Sequence, residues 1–148
     1  MKTLSSLNAV RLLQSADELR ARLAGEFSSV HGISINEFFM LLHLKKAENT
    51  RLSRAELAKR MHVSASTVTR MVAPMEKIGL VNRQVDERDA RIAFVALTNA
   101  GDTKLEEALA TFEKRAGYFF QDRWTEEELD QLSELLYRLV SGSISNLS

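Results

Sequence analysis

The clearest structural signal lies between Ser53 and Gly79, where the chain reads SRAELAKRMHVSASTVTRMVAPMEKIG. Ser53 and the glutamate three residues later form a capping-box pattern, in which each side chain satisfies a free backbone N–H of the first helical turn. Ser64 is a second N-cap residue, and Gly79 is typical of a left-handed helix end. The stretch therefore predicts a short helix over residues 54–61, a turn, and a longer helix over residues 65–78.

The residue pattern changes from helical to alternating after Gly79. Val81, Arg83 and Val85 alternate with polar residues, and a run of β-forming residues follows at 92–97. Two strands joined by the charged segment 86–91 predict one hairpin. The order of short helix, turn, longer helix and hairpin is that of a winged helix-turn-helix, whose second helix enters the major groove of DNA.

Helices are predicted on both sides of this unit. Capping boxes begin at Ser34 and Thr125, a hydrophobic staple accompanies each cap, and Thr98 is a further candidate cap. The predicted fold class is mainly α with a small β-hairpin wing, in a single domain covering 1–148. Its winged helix-turn-helix part is placed at 33–101. The helical parts at 4–30 and 102–146 are placed outside it; the outer helices are predicted at about 4–27, 35–47, 99–121 and from 126 onward.

Composition restricts the function. The 148 residues are 45% apolar and contain no cysteine, which excludes disulfides and thiolate metal sites. The net charge is zero, but residues 51–91 carry nine basic and five acidic groups, so a partner with phosphates would meet this middle segment. No signal peptide, membrane span, catalytic triad, phosphate-binding loop or glycine fingerprint is recognised. We therefore expect a cytoplasmic protein that is not an enzyme and uses neither metal nor cofactor.

The longer helix of the central unit has one polar face suited to DNA. Val68, Met71, Val72 and Met75 form the stripe that packs inward, while small hydroxyls and Arg70 face outward. Arg70 can offer a bidentate fork to guanine. Any soluble helix also places such residues outward, so the surrounding architecture decides for DNA. The residues predicted to face DNA are Arg54, Ser64, Ser66, Thr67, Thr69, Arg70, Arg88, Asp89 and Arg91.

The predicted hairpin tip, 86–91, carries a second candidate contact. An arginine is attracted to a narrow minor groove, and a carboxylate two residues earlier, Asp89, can hold the guanidinium of Arg91 in one orientation. The alternatives are a solvated charged turn and a metal site. The tip lacks the glycine and the distal glutamate of a calcium loop, which disfavours the metal site.

These motifs resemble the MarR/SlyA family of transcriptional regulators, most clearly from Ile33 to Gly101. The resemblance rests on the helix-turn-helix at 57–70, on the helix exit Glu76 to Val81, and on the wing positions. The wing positions that keep the family spacing are Asp86, Asp89, Arg91, Leu97, Thr98 and Gly101.

The resemblance implies a homodimer in which the first, fifth and sixth helices interlock, so that each winged unit enters one half of a pseudo-palindromic DNA operator. It also implies repression that a small anionic or phenolic effector releases. Pro74 departs from the family pattern and predicts a kink, because proline lacks an N–H and crowds the carbonyl of Arg70. The alternative function is a winged-helix module for protein–protein assembly.

Structural roles are expected for the three histidines and for three phenylalanines of the predicted fifth helix. His43 is expected to be buried with its hydrogen bonds satisfied, and His31 and His62 are expected in loops without metal-ligand spacing. Phe112, Phe119 and Phe120 are expected in the dimer core.

Overall fold

A computed structural model describes residues 2–140. Its helices and strands, in chain order, are α1 (Leu4–Glu26), α2 (Ile35–Lys46), β1 (Arg51–Ser53), α3 (Arg54–Met61), α4 (Ala65–Lys77), β2 (Val81–Val85), β3 (Ala93–Leu97), α5 (Asn99–Phe120) and α6 (Glu126–Leu139). The prediction of a mainly α fold with a hairpin wing is confirmed. The last residues of the helical part predicted at 102–146 lie outside the described residues.

Side-chain caps begin the helices where the sequence predicts them. The boxes at Ser34 and Thr125 are complete, with reciprocal bonds to Glu37 and Glu128. The prediction of a full box at Ser53 is wrong. Its hydroxyl accepts from the backbone N–H of Glu56 at 3.1 Å, but the Glu56 carboxylate pairs with Arg60, one helical turn later.

The sheet has a third strand that the sequence pattern did not reveal. β1 pairs antiparallel with β3, and β3 pairs with β2, giving the order β1-β3-β2. Three residues are too few to show an alternation, so β1 carries no periodic signal. It places Leu52 opposite Val95, and both are buried.

One hydrophobic core joins the helix-turn-helix to the long helices. α2 supplies its centre, with Phe38, Leu41 and Leu44 almost fully buried. Phe112 of α5 stacks on Phe38 with ring centroids 5.3 Å apart. Phe112 thus packs against the core of its own chain, whereas Phe119 lies further along α5 and contacts Phe120.

His31 is the last residue of a π-helical turn, Phe27–His31, that continues α1. Its side chain is buried against the edge of Phe27, and its Nε2 lies 2.7 Å from the Thr111 hydroxyl of α5. The prediction of a loop position for His31 is therefore wrong, because the helix extends one turn beyond its expected end and carries the ring into the core.

Candidate nucleic-acid interface

The first turn of α4 presents a cluster of hydroxyl groups. Ser64 is the N-cap residue, and its Oγ accepts from the backbone N–H of Thr67 at 3.1 Å. The same Oγ lies 3.0 Å from the Ser66 hydroxyl and 2.9 Å from the Thr67 hydroxyl. Because hydroxyls both donate and accept, this small cluster can bond either phosphate oxygens or base edges.

Arg70 lies one turn further along the same face of α4. It is exposed, and its Nη2 donates to the Thr67 hydroxyl at 3.3 Å, so the guanidinium rests beside the hydroxyl cluster. The opposite face is anchored by Val68, Val72 and Met75, all buried, while Met71 is half-buried. The exposed Thr69 lies beside this polar face. The helix continues through Pro74 to Lys77.

Arg54 extends the polar surface at the other helix of the unit. It is the first residue of α3 and is exposed. His62 is the C-cap residue of α3 and has a left-handed conformation (φ 55°). This conformation ends α3 and turns the chain toward the start of α4.

Asp86 shapes the tip of the wing. Its Oδ1 accepts from the backbone N–H groups of Arg88 at 2.7 Å and of Asp89 at 3.2 Å, while its own N–H donates to the Ile92 carbonyl. These bonds close the turn between β2 and β3 and leave the Arg88 side chain exposed.

The Asp89 carboxylate holds Arg91 in the geometry predicted from the sequence. Oδ1 accepts from the Arg91 Nε and Oδ2 from Nη2, both at 3.0 Å, and Oδ1 also accepts from the Arg91 backbone N–H. The hydrogen bonds from the Arg91 guanidinium, and then the one from the Arg91 backbone N–H, lower the pKa of Asp89 below its ordinary value. Asp89 therefore stays ionised and keeps its partner in one orientation.

A cavity of about 160 Å³ lies between α1, α2 and α3. The lining side chains are Arg20, Asn36, Phe39, His43, Arg60, Met61 and Val63. Arg20 donates to the Asn36 Oδ1 at 3.0 Å and lies over the Phe39 ring, 5.8 Å from its centroid. No sequence motif marks this cavity, because its residues come from α1, α2, α3 and the turn that follows α3.

His43 is buried in the wall of this cavity, with 3% of its surface exposed. Its burial agrees with the expectation from the sequence, and within residues 2–140 its ring nitrogens are not among the enclosed polar atoms that lack a partner. Burial, and then the electrostatic influence of the neighbouring Arg60 and His62 side chains, lower the pKa of His43. The ring is consequently neutral near pH 7 and lines the cavity.

Between residues 2 and 140, no three His, Asp or Glu side chains are grouped as ligands of a metal ion. Of the helices in this range, none has the length and apolar character that crossing a bilayer requires.

A hydroxyl-rich helix held by a buried opposite face, beside a hairpin with an arginine at its tip, defines a winged helix-turn-helix of the DNA-binding class. The MarR family model matches residues 33–93. The chain is 33% identical over 76% of its length to the transcriptional repressor MdtR of Bacillus subtilis, covering 70% of that protein. It is 32% identical to the repressor YetL of the same species over 71% of its length, covering 62% of YetL.

A solved structure gives the same result. The DNA complex of Sco3205, a MarR family transcriptional regulator from Streptomyces coelicolor, superposes with a TM-score of 0.79 at 25% identity, over 96% of this chain and 91% of that one. The chain belongs to the MarR family of transcriptional regulators, as its motifs predicted.

Proposed function

We propose that this protein is a homodimeric transcriptional repressor, and not an enzyme, that binds a pseudo-palindromic operator in double-stranded DNA. The observation that carries the proposal is the Asp89–Arg91 pair. The Arg91 side chain is 90% exposed at the wing tip, yet it is held by two hydrogen bonds that it donates to one carboxylate. Because both of these hydrogen bonds end on one carboxylate, the guanidinium is fixed in orientation while it faces outward, as minor-groove insertion requires.

Two different readouts of DNA follow from the geometry. The hydroxyls of Ser66 and Thr67 and the fork of Arg70 project from the start of α4, which suits base edges and phosphates in the major groove. Arg91 suits an adjacent minor groove, where a narrow width enhances the negative potential. Arg54, Ser64, Thr69 and Arg88 flank these two points as further contacts to the DNA backbone.

The dimer is supported by apolar surfaces at the two ends of the described chain. α6 buries none of its residues, and Leu135 and Leu139 are 56% and 62% exposed. Leu13 on α1 is 68% exposed. Contiguous apolar faces of this kind are covered in stable proteins, and a second copy of the chain is the simplest cover.

The cavity beside His43 supports an effector site. Arg20 and Arg60 supply positive charge, Phe39 supplies an aromatic face, and His43 and Asn36 supply polar atoms. This set suits a small aromatic carboxylate or phenol. The cavity is lined by residues of α1 and of α3, and α3 belongs to the helix-turn-helix. A molecule bound there would therefore alter the angle between α1 and the winged helix-turn-helix.

Repression is supported by the names of MdtR and YetL, both called transcriptional repressors. A regulator of this kind acts where the chromosome lies, which in a bacterium is the cytoplasm. The alternative, an assembly module that does not bind DNA, gives no role to an outward-facing Arg91 or to the hydroxyl cluster of α4.

The decisive experiment is footprinting on the intergenic DNA beside the protein's own gene, followed by a salt series on the protected fragment. We expect one protected site with two-fold symmetry and a steep fall of affinity with salt, since each phosphate contact releases counterions. Protection without sequence preference, or none, would contradict the proposal.

Effector release is tested separately, by fluorescence anisotropy on the same operator with 4-hydroxybenzoate and related aromatic acids as probes. We expect release of DNA by the parent protein and loss of that response in Arg20→Ala. Lys46→Ala, which removes an exposed charge of α2 outside the cavity lining, is the control. Equal responses of both variants would place the effector elsewhere.

A further inference from the structure

Arg51 spans the face of the sheet opposite the buried Leu52. It begins β1 and pairs with Ala96 of β3. Its guanidinium lies 4.3 Å from the ring centroid of Phe94 on β3, and its Nη1 donates to the Gln84 Oε1 on β2 at 3.4 Å. One side chain therefore links all three strands.

This link lies where the wing leaves the three-stranded part of the sheet. Gln84 and Phe94 are register partners, and only the pair of Val85 with Ala93 follows before the tip. β1 ends opposite Phe94, because Ser53 turns away there to cap α3. Beyond that level the hairpin has two strands, and a two-stranded hairpin is marginally stable by itself.

The two residues before Arg51 have an unusual backbone conformation. Asn49 and Thr50 both have left-handed conformations, with φ of 55° and 53°. A β-branched residue such as Thr50 rarely adopts this region, and such strain persists only where the surrounding structure holds it. Within residues 2–140 the Arg51 guanidinium forms no salt bridge, and it contacts the Phe94 ring and the Gln84 amide oxygen.

We propose that Arg51 is a positioning residue for DNA binding. It fixes the angle of the wing at its base and thereby places Arg91, without contacting DNA itself. The proposal rests on the minor-groove role given to Arg91 above. A wing free to pivot at its base samples many orientations, and ordering it on DNA costs conformational entropy, so a clamped wing binds more tightly.

We call the contact of Arg51 with Phe94 and Gln84 the clamp. Arg51→Lys tests it, because lysine keeps the charge but lacks the planar group that stacks on Phe94. We expect affinity for the operator to fall about 2- to 5-fold, which is the scale of a stacked cation. The salt slope should stay as in the parent, because no charge is lost. The preference for A·T-rich over G·C-rich flanks should shrink, which a purely structural role would not produce.

A double-mutant cycle places the effect in the wing. In an Arg91→Ala background, Arg51→Lys should change affinity less than about 2-fold, because the group that it positions is gone. Gln84→Ala, on an exposed position of β2, should reproduce the pattern without touching the core. Melting temperature and dimer mass are measured for every variant to show that each is folded.

Three outcomes overturn the clamp. The first is that Arg51→Lys binds the operator as tightly as the parent. The second is that its effect on affinity adds fully to that of Arg91→Ala. The third is that Arg51→Ala lowers the salt slope, which indicates a direct phosphate contact. If Arg91→Ala leaves affinity unchanged, the minor-groove role falls together with the clamp. Additive effects of the two substitutions overturn the clamp alone.

Discussion

The Asp89 carboxylate receives both arms of the Arg91 guanidinium at 3.0 Å, while 34% of the Asp89 side chain and 90% of the Arg91 side chain remain exposed. The carboxylate is thus turned toward the wing and the cation toward solvent. This arrangement separates two electrostatic effects on DNA binding, one from the charge of the pair and one from its orientation.

The first prediction concerns these two residues. Arg91→Ala should weaken operator binding on the order of 10-fold and reduce the salt slope, since a cation is lost. Asp89→Ala should weaken binding as well, although removing a negative charge near DNA favours binding by long-range electrostatics. The freed arginine must lose more rotamer freedom on insertion. Fluorescence anisotropy on one operator measures the affinity of each variant. If Asp89→Ala is folded and dimeric and still binds as tightly as the parent, Asp89 is only a turn residue.

The second prediction concerns Arg70. If its guanidinium leaves Thr67 to read a base, Arg70→Ala should cost about 1–3 kcal/mol and relax the preference at one base pair per half-site. If it touches only phosphate, affinity should fall equally on all sequences. Binding selection on a randomised half-site distinguishes these results, and an unchanged affinity would remove Arg70 from the interface.

The third prediction concerns the exposed face of α6. Leu135→Glu combined with Leu139→Glu should shift the protein from dimer to monomer, because charges placed in an apolar interface lose solvation. Light scattering at micromolar concentration measures the mass. Arg138→Glu changes the net charge by the same two units at an exposed polar position of α6 and should leave the dimer intact. A parent protein that is monomeric would contradict the interface itself.

The fourth prediction concerns Gly101, in the first turn of α5. A Cβ there would overlap the carbonyl oxygen of Leu80 and lie 2.8 Å from the Leu97 Cδ1. The backbone cannot move away easily, because the Leu80 carbonyl also accepts from the Thr98 N–H at 3.2 Å. Gly101→Ala should destabilise the fold by about 1–3 kcal/mol, measured by urea unfolding. Gly117→Ala, with open space around its Cβ position, is the matched control in the same helix and should not destabilise it.

The fifth prediction concerns pH. The pKa of His43 is lowered in the folded protein, whereas in the unfolded chain the histidine is protonated below about pH 6.5. The stability that neutral His43 contributes is therefore present above about pH 6.5 and is lost as the pH falls further. His43→Leu should gain in free energy of unfolding relative to the parent between about pH 7.5 and pH 5.5. Urea titrations give both values, and a difference independent of pH would contradict the burial effect.

Much of the fold and of the DNA-facing surface could be predicted because the interactions that define them are local. Ser34, Ser64 and Thr125 bond to residues three positions away, and Asp89 bonds to a residue two positions away. Such contacts depend on spacing along the chain and hardly on the rest of the molecule. The winged helix-turn-helix order and the polarity of α4 follow in the same way from periodicity.

The helix starts, the order of helices and strands in the winged helix-turn-helix and the pairing at the wing tip could therefore be predicted from residue order alone. Four other features became visible only in the packed molecule, namely the strand β1, the bond between His31 and Thr111, the cavity lined by Arg20 and His43, and the position of Arg51 over Phe94. Each of these joins residues far apart in the chain, whose meeting depends on how helices and strands pack. A residue pattern records which face of an element is apolar, but it does not record which distant element covers that face.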